Sequence, residues 1–113
     1  MKTLKNKVQL IGNVGDTPKS HTFESGKKVI RFSLATNDYY LKDGEKVSQT
    51  QWHTIVAWGK QAEIIEKYVT KGSEIAVEGK LTSRAFDTEQ GEKQYITEVL
   101  INEILLLNGK NKS

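Results

Sequence analysis

Apolar and polar residues alternate along much of this chain, with the period of strands that bury one face. The clearest case is Ile30, Phe32 and Leu34, which are each separated by a single residue. Similar segments recur on both sides of it, and one of them is rich in aromatic and β-branched side chains. The predicted strands are residues 7–14, 30–35, 51–58, 74–82 and 95–101.

One segment has the period of a helix instead. Ala62, Ile65 and Val69 stand at positions i, i+3 and i+7, which lie on one face of a helix. The pattern predicts a helix that begins near Gly59, and Gly72 is a suitable residue to follow its end.

The order of these elements is three strands, one helix and two strands. That order predicts an all-β fold with one short helix, namely a five-stranded Greek-key barrel of the OB-fold type with the helix between strands 3 and 4. Asp43-Gly44 and residues 89–92 predict the tips of two long hairpin loops. We expect one domain over residues 1–107 and a short polar C-terminal tail over residues 108–113.

Composition narrows the possible functions. The chain of 113 residues has no Cys, two His and 36% hydrophobic residues, without an apolar run long enough to span a membrane or form a signal peptide. Phosphate-loop, dinucleotide-binding and zinc-protease motifs are absent from the sequence. We therefore predict no catalytic residues, no metal site and no cofactor. The net charge of +3 is compatible with a polyanionic partner.

The aromatic residues indicate which polyanion. Trp52 and Trp58 share parity in one strand, so both should lie on the face opposite Ile55. Phe86 shares parity with Arg84 on the polar face of another strand. Aromatic side chains beside basic ones on the polar faces of a β-domain favour stacking on nucleic-acid bases. The alternative is that Trp52 belongs to the core and Phe86 packs on its own hairpin.

At this level of detail the chain resembles the bacterial-type single-stranded DNA-binding proteins, over about residues 4–107. The resemblance rests on an ordered set of motifs at matching spacings. These are Asn6-Lys7-Val8, Ile11–Gly15 with Pro18, Phe32–Thr36, Thr50–His53, Trp58–Glu63 and Lys71–Leu81.

The resemblance implies a non-catalytic protein that coats and protects single-stranded DNA in replication, recombination and repair, without reading its sequence. It also implies a homotetramer, with His53 at a subunit contact, in the cytoplasm of a bacterium and associated with the nucleoid. The family's stacking positions fall on Tyr40, Trp52, Trp58 and Phe86. Strand parity favours Tyr39 over Tyr40, so we keep both as candidates and expect a bulge or twist between Thr36 and Tyr40 to reconcile them.

Basic residues at the family's phosphate-binding positions are Lys7, Lys60, Lys71 and Arg84, and Arg31 is a further candidate. The chain also departs from the family. Thr54, Thr70 and Thr82 stand where relatives often carry Arg, which predicts fewer phosphate contacts. Residues 108–113 are basic rather than acidic, so we expect no recruitment of proteins through an acidic C-terminal tip.

Three other functions fit parts of the pattern. An accessory primosomal OB-fold protein would be a dimer and lack much of the aromatic set. An OB-fold nuclease would need a carboxylate–metal cluster. An RNA-binding module stays open, because stacking by itself does not exclude RNA.

Overall fold

The computed structural model describes residues 5–107, so the predicted tail over residues 108–113 lies outside the described residues. Six strands and one helix follow one another along the chain. They are β1 (Val8–Val14), β2 (Lys19–Thr22), β3 (Lys28–Lys42), β4 (Glu45–Trp58), α1 (Gly59–Tyr68), β5 (Glu74–Asp87) and β6 (Lys93–Leu106).

The strands form one sheet in the order β1-β5-β6-β4-β3-β2, and β1 also pairs with β3. That second pairing, Asn13 with Ala35 and Val14 with Leu34, closes β1, β3, β4, β5 and β6 into a barrel. All pairings are antiparallel except β4 with β6, which is parallel. The predicted five-stranded OB-fold barrel is confirmed, with the helix between its third and fourth strands, here β4 and β5.

The sequence pattern did not predict β2. This strand pairs with β3 through Lys19–Thr22, and all four of its residues are exposed. A strand with no buried face has no apolar alternation, so hydrophobic periodicity cannot reveal it.

The core lies inside the barrel and under the helix. Leu34, Ile55 and Ile75 are fully buried strand residues, and the helix adds Ala62 and Ile65 from its inward face. Burying an aliphatic side chain of this size contributes about 1.5–3 kcal/mol. After α1 the chain turns at Gly72, which has a φ of 95° and donates its N–H to the Val14 carbonyl.

Both predicted hairpins extend beyond the barrel. The β3–β4 hairpin turns at Asp43-Gly44, and the β5–β6 hairpin turns through residues 88–92. Most residues near the two tips are exposed. The two hairpins therefore form arms that carry side chains outside the core.

Candidate nucleic-acid interface

The two tryptophans lie on one outer face of the barrel. Trp52 is 63% exposed and Trp58 is 40% exposed, whereas Ile55 and Ala57 between them are fully buried. The predicted alternation in β4 is therefore confirmed, and the interpretation of Trp52 as a core residue is wrong. We call the outer surface of β2, β3, β4, β6 and β5 around these tryptophans the tryptophan face.

Trp52 lies directly against the backbone at Gly15. A Cβ atom at Gly15 would stand 2.3 Å from Trp52 Cζ3, so the indole occupies the space that any side chain would need. The Gly15 N–H donates to the Ser33 carbonyl, and the Asp16 carboxylate accepts hydrogen bonds from the Ser33 backbone and hydroxyl. These bonds fix the loop after β1 and hold the surface on which Trp52 rests.

Trp58 is stacked on an aromatic residue that sequence reasoning missed. The rings of Trp58 and Phe23 are nearly parallel, with centroids 5.8 Å apart, and His21 meets Phe23 edge-on at 4.5 Å. Phe23 lies in the turn between β2 and β3, where its N–H donates to the Lys27 carbonyl. A single aromatic residue in a turn belongs to no periodic pattern. Phe23 directly follows β2, so its position could have been predicted only if β2 had been predicted.

A buried carboxylate lies on the tryptophan face between two arginines. Glu98 is 4% exposed, and its Oε2 accepts from Arg31 Nε and from Arg84 Nε, each at 3.3 Å. Both arginine side chains are about half exposed. The structure therefore brings together two predicted phosphate ligands, and their charges exceed that of the carboxylate by one positive unit.

Further groups extend this face in both directions. Lys19, which the sequence analysis did not single out, pairs with Arg31 across β2 and β3 and so lies on the same side of the sheet. Phe86 follows Arg84 at the next outward position of β5 and is 41% exposed. The aromatic and basic side chains thus form one surface from β2 to the β5–β6 arm.

The two tyrosines of the β3–β4 arm point to opposite sides. A bulge or a twist was expected between Thr36 and Tyr40. The register runs without a shift from Val29–Trp58 to Lys42–Glu45, so there is no bulge. Strict alternation puts Tyr39 on the side of Trp52 and Tyr40 on the other. Both are exposed, and the Lys46 ammonium lies 4.6 Å from the Tyr39 ring centroid.

The three predicted lysine ligands are more scattered. Lys60 is the second residue of α1 and follows Trp58 by two positions. Lys71 lies beside Gly72, whose N–H donates to the Val14 carbonyl next to the Gly15 loop. Lys7 precedes Val8, which pairs with Gly79 in the middle of β5, and its Nζ lies 3.3 Å from Glu78 Oε2. Hydrogen bonding by Gln9, followed by that of Lys7, lowers the pKa of Glu78, so this lysine already has an anionic partner.

His53 lies next to Trp52 but points the other way. Its side chain is partly buried, and its Nε2 lies 2.9 Å from Thr36 Oγ1. Its role at a subunit contact stays a prediction.

Within residues 5–107 no group of three or more His, Cys, Asp and Glu side chains is arranged to hold a metal ion. In the same part of the chain, α1 has 10 residues and is too short and too polar to cross a membrane.

Comparison with known proteins agrees with this architecture. The model of the single-strand binding protein family matches residues 5–107. A single-stranded DNA-binding protein of Bacteroides thetaiotaomicron is 43% identical over 108 residues, covering 93% of this chain and 67% of that protein. A protein of the same name from Rickettsia typhi is 40% identical over 116 residues, covering 96% of this chain and 76% of that protein.

A solved structure, the Plasmodium falciparum SSB complex with ssDNA, superposes with a TM-score of 0.84 at 35% identity. The match covers 96% of this chain and 98% of that one. The family match, the relatives and the shared barrel agree with one another: this chain belongs to the single-strand binding protein family.

Proposed function

We propose that this chain binds and protects single-stranded DNA, without reading its sequence, on the tryptophan face. The observation that carries the proposal is the surface on which Trp52, Trp58 and Phe86 are exposed beside Arg31 and Arg84. The names of the relatives, and the ssDNA in the solved Plasmodium falciparum complex, support the same ligand.

The mechanism combines two sequence-tolerant interactions. Arginine and lysine side chains attract the phosphates and release the counterions around them, which makes binding sensitive to salt. Unpaired bases then stack on exposed aromatic rings, and each stack contributes about 1–3 kcal/mol. A duplex has no free base faces, so it offers only the first interaction.

The phosphate contacts are assigned to the predicted cations. Arg31 and Arg84 lie on the tryptophan face, Lys60 follows Trp58 by two residues, and Lys71 precedes Gly72, which bonds to Val14. Lys7 is shared with Glu78 and contributes less. On the β3–β4 arm, Tyr40 is a candidate for a stack because it occupies the family's stacking position. Tyr39 is the other candidate, and it is the one that the register places on the side of Trp52.

The larger context rests on the family. A homotetramer, a role in replication, recombination and repair, and a place at the nucleoid of the bacterial cytoplasm belong to the proposal. So do the absence of catalysis and the expectation that no partner is recruited through an acidic tip.

The test is a binding titration with labelled dT oligomers, rU oligomers and a duplex of equal length. Parent protein should bind dT more tightly than the duplex, and Trp52→Ala should weaken dT binding by about 1–3 kcal/mol. Tyr68→Ala is the matched control, because Tyr68 is an exposed aromatic of α1 and not of the sheet. Equal binding of dT and duplex would contradict the proposal, and preferred binding of rU would favour an RNA-binding module.

A further inference from the structure

In the described part of the chain, residues 5–107, the one buried charged residue lies on the tryptophan face. It is Glu98 of β6, and the side chains that cover it are Arg31 from β3 and Arg84 from β5. A buried carboxylate is costly unless it is paired, and here two guanidiniums, which are always protonated, compensate it.

Each arginine contacts Glu98 through only one of its N–H donors. Both contact Glu98 Oε2 through Nε, and residues 5–107 give neither guanidinium another partner. A guanidinium has further N–H donors on its two terminal nitrogens, suited to a second oxyanion on another side of the group. Each arginine can therefore keep Glu98 and still donate to a phosphate oxygen.

The carboxylate also determines where the arginines stand. Arg31 reaches Glu98 across β4, because Arg31 pairs with Val56 and Val56 pairs with Leu100 of β6. Arg84 reaches it from the neighbouring strand β5, where Thr82 pairs with Glu98. Since both Nε atoms touch one oxygen, they lie no farther apart than twice 3.3 Å, despite their like charges.

We propose that Glu98 is a positioning residue for phosphate binding: it holds Arg31 and Arg84 side by side, with their terminal nitrogens facing solvent. An arginine held in this way loses less side-chain freedom when it meets a phosphate. The inference rests on the proposed function and extends it by assigning a role to an anion on an anion-binding face.

In the opposite role, the Glu98 carboxylate competes with phosphate for both arginines and weakens DNA binding. The two roles differ in the sign of an energetic coupling. If Glu98 positions Arg84, then Arg84 contributes less to dT affinity when Glu98 is absent. If Glu98 competes with phosphate for Arg84, then Arg84 contributes more to dT affinity when Glu98 is absent. Glu98→Gln alone also changes the net charge, which affects DNA binding by itself. The informative quantity is therefore the energetic coupling between the Glu98 and Arg84 substitutions.

The experiment measures dT affinity at several salt concentrations for the parent, Glu98→Gln, Arg84→Ala and the double variant. Arg84→Ala should lower the affinity of the parent about tenfold, as expected for a charged hydrogen bond. It should lower the salt slope by up to about one. In the Glu98→Gln background, we expect Arg84→Ala to cause a smaller loss of affinity, about threefold, and a smaller loss of salt slope. We expect Arg31→Ala to behave in the same way.

Lys60→Ala is the control, because Lys60 has no contact with Glu98 in the described structure, and its effect should be the same in both backgrounds. An equal or larger loss from Arg84→Ala in the Glu98→Gln background would overturn the inference. If Trp52→Ala weakens binding while the effects of the arginine variants and of Glu98→Gln simply add, this inference fails but the proposed function stands. Failure of the parent to bind dT would overturn the proposed function and the inference together.

A second pair of variants keeps the test decisive if Glu98→Gln does not fold. Arg31→Lys and Arg84→Lys retain the charge but lack the planar group that can contact a carboxylate and a phosphate at once. We expect each to lose most of the affinity that the alanine variant loses. Parental affinity in both lysine variants would overturn the proposal.

Discussion

At the scale of single residues, the structure shows what holds each tryptophan of the interface. Trp52 rests on Gly15, and Trp58 rests on Phe23. Each contact leaves part of the indole exposed. The supporting residue is different in each case, so the two contacts can be tested independently.

We expect Gly15→Ala to weaken binding of dT, because the new methyl group would collide with the indole of Trp52 and move it. The loss should be no larger than one stack, about 1–3 kcal/mol, in a fluorescence titration. The control is the same substitution in a Trp52→Ala background, where the contact of the new Cβ with Ser33 Oγ, at 2.8 Å, is left and the effect should shrink. An undiminished effect there would mean that Gly15 acts through the loop rather than through Trp52.

Phe23→Ala should also weaken dT binding, by about 0.5–1.5 kcal/mol, because Trp58 loses the ring that orients it. Phe23→Tyr keeps the stacked ring and should bind like the parent. The measurement is a dT titration of both variants in a Trp52→Phe background, so that only Trp58 reports. Parental affinity for Phe23→Ala would show that Trp58 needs no such support.

The sequence predicts the exposed tryptophans but not the residues that position them. Alternation in β4 is enough to place Trp52 and Trp58 on one face, since it depends only on strand geometry. The Gly15 and Phe23 contacts join a loop and a turn to β4, and Glu98 contacts side chains from two other strands. Such contacts depend on tertiary structure, which a periodic pattern does not encode.

At the scale of elements, α1 is joined to the sheet through a small polar network. Glu66 of the helix accepts hydrogen bonds from Lys28 of β3 and Ser20 of β2. These two partners, Lys28 first, lower the pKa of Glu66. The network is at the surface, so it adds modestly to the apolar packing of Ala62 and Ile65.

The network predicts a pH dependence of stability. Because the folded-state pKa of Glu66 is lowered, its stabilising contribution is present above the ordinary carboxyl pKa and is lost as pH falls through the folded-state value. Glu66→Gln should therefore lower the melting temperature slightly at neutral pH. The difference from the parent should vanish in acid, and a constant difference across pH would contradict the assignment.

The elements were predictable wherever they contribute to the core. Helix α1 and the five barrel strands each have a buried face, and hydrophobic period reveals each of them. Parity along β3 alone places Tyr39 on the side of Trp52, and the register agrees. The short strand β2 depends on hydrogen-bond register instead. Register is a pairing property, and it is invisible in either strand alone.

At the scale of the whole molecule, β1 has an unpaired edge beside a row of apolar side chains. Within residues 5–107, β3 pairs with β1 only at Asn13 and Val14, so one edge of the rest of β1 has no strand partner. Ile11, Ala76 and Leu105 form a row across β1, β5 and β6, and the side chains of Ile11 and Leu105 are exposed. Unpaired edges and apolar rows are features that association covers.

The edge and the row favour association, and the resemblance to the family adds the expectation of a homotetramer, to be measured by light scattering at micromolar concentration. Ile11→Lys, which places a charge in the apolar row, should shift it toward smaller species while the fold is retained. A monomeric parent would contradict the expectation, and a stable dimer would favour the primosomal relative.

The central claim, that single-stranded DNA lies across the tryptophan face, is tested most directly by fluorescence of two single-tryptophan variants. Trp52→Phe leaves Trp58 as the reporter, and Trp58→Phe leaves Trp52. Saturation with dT should quench the emission of both. The logarithm of the binding constant should fall linearly with the logarithm of salt concentration, with a slope of about −0.7 per phosphate contacted. Binding of dT that leaves the emission of both tryptophans unchanged would contradict the account.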